Sequence, residues 1–261
     1  MEKAGRFVLL FRANRGGIWY TEDDLPPARR ETTDPEMIFM TIQAYLPFWT
    51  KLTAAQQQTL EGAMRQKTVD AGALLHSGGD DCTGLLLVTE GQLRVYTISE
   101  EGREITLYRL LEGDMCLFSA ACMLNSIQFD VFVRAERPSA VVHIPPEVYK
   151  SLMQASLAVA NYTNELMASR FSDVMWLLDQ ILNKKIDERL AALLLEEAGL
   201  ADNSALHLTH DQLARHLGTA REVVTRMLKY FQSEGLVSLE RGVILLRAPA
   251  RLQEIAAHSL R

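Results

Sequence analysis

The chain has 261 residues, 48% of them hydrophobic and 23% charged, with a formal net charge of −6. That balance fits a folded protein of two domains and argues against a disordered or membrane-embedded chain. The charge is uneven: residues 203–261 carry 8 basic and 5 acidic side chains, the only net-basic stretch, which hints at a polyanionic partner there. No apolar run approaches the ~20 residues of a spanning helix. FVLLF (7–11) is too short for a secretory core and lacks a small-residue cleavage site. No membrane association is expected, and the expected compartment is the cytoplasm. Cys82, Cys116 and Cys122 show neither CxxC nor Cys/His zinc spacing, so no disulfide framework or structural zinc is expected.

Residues 1–40 are weakly patterned, and DDLPPARRETTDP (23–35) reads as a linker, so this part is expected to be a poorly ordered extension. Met37 or Met40 is a possible true start. From Leu74 to Ile144 the texture is β. GLLLVTEG (84–91), QLRVYTI (92–98), EITLYRL (104–110), VFVRAE (131–136) and AVVHI (140–144) are rich in β-branched and aliphatic residues. Gly91, Gly102 and Gly113 fall eleven apart near strand junctions, as in a sandwich or rolled sheet. Pro145-Pro146 then opens a helical region. Met167, Phe171, Val174, Leu178 and Ile181 recur at spacings of 4, 3, 4 and 3, the seam of two packed helices. This predicts a dimerisation helix over 155–182. NKKIDER (183–189) interrupts the seam, with a hinge expected at 183–187, and RLAALLLEEA (189–198) starts a new amphipathic helix.

The most informative stretch is LTHDQLARHLGTAREVVTRMLKYFQSEGLV (208–237). Thr209 with Gln212, and Thr219 with Glu222, have capping-box spacing. They predict helices over 210–217 and 220–232, turning at Gly218, whose missing side chain permits a left-handed backbone. Leu213, Leu217, Val223, Val224, Met227 and Leu228 supply buried faces. This is helix-turn-helix spacing, and LVSLERGVILLR (236–247) follows as a two-stranded wing around Arg241-Gly242. Arg221, Glu222 and Arg226 begin the exposed face of the second helix, where side chains reach base edges. Arg can bond guanine O6 and N7, and a carboxylate can accept from cytosine N4. Lys229, Thr209 and Thr219 suit phosphates. Charges on a helix face are usually only solubilising, but the caps, turn and wing together favour DNA binding.

From these motifs the chain resembles the CRP/FNR family of transcription regulators over about residues 44–258. The resemblance implies an α+β fold: an N-terminal cyclic-nucleotide-binding-like β-roll over 41–154, a long dimerisation helix, and a C-terminal winged helix-turn-helix over 188–261. It further implies a homodimer on double-stranded promoter DNA, an inverted repeat of TGTGA-like half-sites read by Arg221, Glu222 and Arg226. RNA polymerase becomes a partner if the protein activates. The second reading is a small-molecule-binding or protein-interaction module with a vestigial winged helix. No nucleophile elbow, P-loop or HExxH motif is present, so no enzyme is expected.

By the same resemblance GDMCLFSAACMLNSIQFD (113–130) is the phosphate cassette of the β-roll. The nucleotide-binding form has Gly-Glu and Arg-Ser where this chain has Leu117-Phe118 and Phe129-Asp130. A cyclic phosphate needs a cation, and Asp130 would repel it. Cyclic AMP is therefore not expected. Neither is an iron–sulfur cluster, since no cysteine precedes Cys82, nor haem, since His76 and His143 read as β-roll fillers. The expected sensor is lined by Cys116, Phe118, Ser119, Cys122, Phe129 and Asp130 and faces Phe171, Val174 and Met175. An apolar ligand pocket, a thiol switch at Cys116 and Cys122, and plain packed core remain open.

Overall fold

A computed structural model describes residues 42–78, 83–120 and 130–257 in full and residues 121–123 in backbone alone. The expected extension at 1–40, the starts at Met37 or Met40, Cys82 and Phe129 lie outside the described residues. Two compact units divide in sequence between Leu182 and Asn183, except that Arg215–Thr219 group with the first of them.

The first unit opens with helix α1 (Ala54–Ala63). Its strands are β1 (Arg65–Val69), β2 (Leu74–Ser77), β3 (Leu85–Glu90), β4 (Leu93–Ile98), β5 (Glu104–Leu110), β6 (Met115–Cys116), β7 (Phe132–Ala135) and β8 (Ser139–Ile144). They form two antiparallel four-stranded sheets, ordered β1-β8-β3-β6 and β2-β7-β4-β5. Strand β3 shows why the sequence builds two layers. Successive side chains point to opposite faces. Leu85 and Leu87 pack with Leu60, Tyr149 and Val159. Leu86 and Val88 pack with Val95, Val133 and Cys116. Both faces are covered, so the strand reads as an unbroken apolar run. Gly91 turns β3 into β4 with φ +87°, and a Cβ there would lie 2.5 Å from the Pro138 carbonyl oxygen. Only glycine fits.

Helix α2 (Pro146–Ala155) starts on a proline, whose missing N–H costs nothing in the first turn. Helix α3 (Leu157–Asn183) has 27 residues, about 40 Å of helix. Its inward face includes Thr163, Arg170 and Asp173. In the single chain its outward face is apolar: Phe171 is 68% exposed, Met175 45%, Leu178 44% and Leu182 69%. These recur at 4, 3 and 4. Ile181, 41% exposed, lies on the same face, so the exposed apolar stripe keeps Phe171, Leu178 and Ile181 of the expected seam and replaces Met167 and Val174 with Met175 and Leu182. Met167 packs instead against the first core cluster, and Val174 is half-buried.

The elements after Leu182 are α4 (Ile186–Ala201), β9 (Ala205–Leu206), α5 (His210–Leu217), α6 (Arg221–Ser233), β10 (Val237–Glu240), β11 (Val243–Leu246) and α7 (Pro249–Ala256). Strands β10, β11 and β9 form one antiparallel sheet. Leu190, Leu194, Leu213, Val224, Leu228, Phe231 and Leu252 are fully buried. Lys184 and Lys185 separate α3 from α4. Among the described residues, no helix is long and apolar enough to cross a membrane.

Candidate nucleic-acid interface and sensor core

The helix-turn-helix is built from local signals. At the start of α5, Gln212 N–H donates to Thr209 Oγ1 at 3.2 Å and Thr209 N–H donates to Gln212 Oε1 at 2.8 Å, a closed capping box. Gly218 turns the chain with φ +62°. The second expected box does not form. The residue capping α6 is Ala220, without a side-chain bond, so Thr219 falls one position too early to reach the third helical N–H. Glu222 instead stands in the first turn of α6, where its charge favours the helix dipole.

On α6, Val224, Leu228 and Phe231 are buried, while Arg221, Glu222, Arg226 and Lys229 are exposed. At 3.6 residues per turn the four exposed residues span an arc of about 140°. The burial thus leaves one polar face, as a helix lying in a major groove requires. Val223 and Met227 are half-buried rather than core. Arg221 Nη1 lies 3.7 Å from Asp211 Oδ2, with both side chains more than half exposed. Such a pair is weak and leaves the arginine available. Thr209 is exposed and Thr219 half-buried. A groove of about 220 Å³, lined by Thr209, His210, Arg221, Glu240 and Gly242 among others, runs between the starts of α5 and α6 and the wing.

The sensor residues separate into two groups. Cys116 and Phe118 lie in the core between the sheets, with the Phe118 ring 6.0 Å from that of Tyr108. The Ser119 hydroxyl is buried and donates to the Cys116 carbonyl oxygen at 3.2 Å. Burial pushes the Cys116 thiol up, so it is a poor nucleophile. Cys122 lies on a 3-10 helix over Phe118–Met123, and its side chain is outside the described residues. Asp130 is exposed and abuts Gly78, where a Cβ would come within 2.9 Å of Asp130 Cβ.

Phe171 and Met175 do not face the cassette; they lie on the outward side of α3. Its phase brings Arg170 and Asp173 inward instead, two residues that the apolar-seam pattern passes over. Arg170 Nη1 donates to Asp173 Oδ2 at 3.1 Å and Nη2 to Asp114 Oδ1 at 3.4 Å. The guanidinium carbon sits 4.7 Å from the Tyr108 ring centroid, a cation–π stack. Burial opposes the Arg170 charge, but Asp114, Tyr108 and Asp173 outweigh it and hold it protonated. Burial also pushes the Tyr108 phenol well up. Arg170 Nε and Tyr108 OH are buried without a hydrogen-bond partner.

Phe118 is buried in the core between the sheets, and Leu117 is buried next to it in sequence. His76 Nδ1 is 3.0 Å from Thr83 Oγ1, and His143 Nε2 meets the Thr83 carbonyl oxygen, so Thr83 engages both rings. Among the described residues, no group of three or more His, Cys, Asp or Glu converges on a metal position.

Two stacked sheets, a long helix with an apolar outer face and a winged helix-turn-helix define a sensor joined to a DNA-binding unit. The cyclic nucleotide-binding domain family matches residues 66–156, and the Crp-like helix-turn-helix domain family matches residues 188–255. A solved transcriptional regulator assigned to the crp/fnr family from Eubacterium rectale ATCC 33656 is 51% identical, with a TM-score of 0.80 over 82% of this chain and 99% of that one. The fumarate and nitrate reduction regulatory protein of Vibrio cholerae is 28% identical over 203 residues, 75% of this chain and 80% of that protein. A CRP/FNR-family regulator from Thermus thermophilus shares the fold, at 22% identity and a TM-score of 0.58, over 74% of this chain and 98% of that one. The chain belongs to the CRP/FNR family of transcription regulators.

Proposed function

We propose that this regulator binds an inverted repeat of TGTGA-like half-sites as a homodimer in the cytoplasm, contacts RNA polymerase where it activates, and catalyses nothing. Arg221 and Arg226 read guanines, Glu222 accepts from cytosine N4, and Lys229, Thr209 and Thr219 hold phosphates. Gly218 sets the angle between α5 and α6. The carrying observation is the polar arc of α6 over a fully buried opposite face. The outward stripe Phe171, Met175, Leu178 and Leu182 supports a two-fold seam. The domain limits are 41–154, 155–182 and 188–261, with a hinge at 183–187 that the helix break at Lys184-Lys185 supports.

The β-roll, on this reading, answers to a signal other than a cyclic nucleotide. Support comes from two of the three buried side-chain donors without a hydrogen-bond partner among the described residues, Tyr108 OH and Arg170 Nε, which an acceptor atom of a small effector would satisfy. Cys116, Phe118 and Ser119 form the wall beside them, and the resemblance adds Cys122, Phe129 and Asp130 to the cassette. A thiol switch would need Cys122 as its reactive partner, because the Cys116 thiol is buried and its ionisation suppressed.

Selection from a pool of random-sequence duplexes tests the DNA reading. A symmetric motif with half-sites about one helical turn apart is expected. Recovery of no symmetric motif overturns it.

A further inference from the structure

We propose that His210 is a pH-dependent phosphate contact, so that operator binding takes up a proton; this rests on the DNA-binding reading of α6. His210 is the first residue of α5 and lines the groove that Arg221 and the wing share. Its ring is half-buried and fixed: Nδ1 lies 2.9 Å from Thr225 Oγ1. The Thr225 hydroxyl donates its one proton to the Arg221 carbonyl oxygen, at 2.9 Å. Its oxygen must therefore accept, and Nδ1 must carry the hydrogen. That leaves Nε2 as the atom that titrates. When a helix-turn-helix docks, its first helix crosses the sugar–phosphate backbone while the second enters the groove. The start of α5 is where that backbone passes, beside the phosphate contact assigned to Thr209.

The charged groups around the ring come from three elements. Burial and Arg221 of α6 lower the His210 pKa, and Asp211 of α5 opposes them. Glu240 of β10 lines the same groove. The free protein therefore holds His210 neutral near neutral pH. A phosphate at Nε2 raises the pKa of the bound state. A raised bound-state pKa gives affinity that is fully present below the free-state value and is lost as pH rises through the bound-state value. One pKa unit of difference corresponds to about tenfold in affinity.

The test is fluorescence anisotropy with a 30-base-pair duplex carrying the TGTGA inverted repeat and with a mixed-sequence duplex, from pH 5.5 to 8.0. Three proteins are compared: wild type, His210→Gln and His210→Arg. Gln can still donate to Thr225, and Arg keeps the charge at every pH. Wild type should lose roughly three- to tenfold more affinity than His210→Gln across this range, on both duplexes, because a phosphate contact ignores sequence. Its salt slope should be steeper by about 0.9 at pH 5.5 than at pH 8.0, and His210→Arg should stay steep throughout. Identical pH profiles for wild type and His210→Gln overturn the proposal while leaving the DNA reading intact. A wild-type pH profile retained by His210→Arg overturns it equally. No binding to either duplex at any pH overturns the DNA reading and this inference with it.

Discussion

Arg221 and Lys229 stand on the same exposed arc of α6 but are assigned different work, and substitution separates them. Arg221→Ala should cost about 1–3 kcal/mol of operator affinity and relax preference at one guanine. Lys229→Ala should weaken all sequences alike and lower the salt slope by about 1. Competition binding with single-base operator variants reads both; an Arg221→Ala protein with unchanged base preference contradicts the docking. In the sensor, Arg170 holds Asp173, which is almost fully buried. Arg170→Met should destabilise the chain by about 3 kcal/mol, since it removes the buried guanidinium that donates to Asp173 and Asp114, measured by urea denaturation. The Cys116 thiol is pushed up by burial. Its contribution to stability is complete below the unfolded thiol value of about 8.5 and is lost as pH rises towards the folded one. Thermal melting of wild type should therefore fall more steeply above pH 8.5 than that of Cys116→Ala.

Helix α3 carries the association prediction. Leu178→Glu places like charges opposite one another across a two-fold seam. Sedimentation should show monomers, and operator binding should be lost with them; an unchanged dimer contradicts the seam. This helix also shows where sequence reading works and where it fails. Its existence was legible from a 4-3 spacing, but its phase was ambiguous because Val174-Met175 is an adjacent apolar pair, and only burial, with Val174 half-buried and Met175 exposed, chooses between them. Strands β3, β4, β5, β7 and β8 were legible because both faces are apolar or alternate. Strand β1, RQKTV, was not, because it is largely exposed and is held by pairing with β8. Helix α1 was missed although Thr53 and Gln56 close a capping box. The α6 start misled in the other direction: Thr219 and Glu222 have the spacing of a box, but the chain enters the helix at Ala220. The inward Arg170 had no pattern of its own, since a single arginine on a long helix looks like any solvated charge.

At the scale of the whole molecule, the winged-helix unit keeps a complete buried core beneath a polar reading face, and family membership favours a working regulator over one with a vestigial DNA-binding unit. On the resemblance, Leu117-Phe118 stand where the nucleotide-binding form has Gly-Glu, so calorimetry with cyclic AMP should show no saturable heat; a micromolar site contradicts that. Oxidation should alter operator affinity in wild type and not in Cys122→Ser if the signal is a thiol, and in neither protein if it is an apolar ligand. The central claim, sequence-specific recognition by a dimer, is tested most directly by anisotropy at one fixed salt concentration near 0.15 M. The TGTGA inverted repeat is compared with a scrambled duplex of equal length and composition. We predict two chains per duplex and at least about a thousandfold preference for the inverted repeat. Equal affinity for the two duplexes would contradict the account.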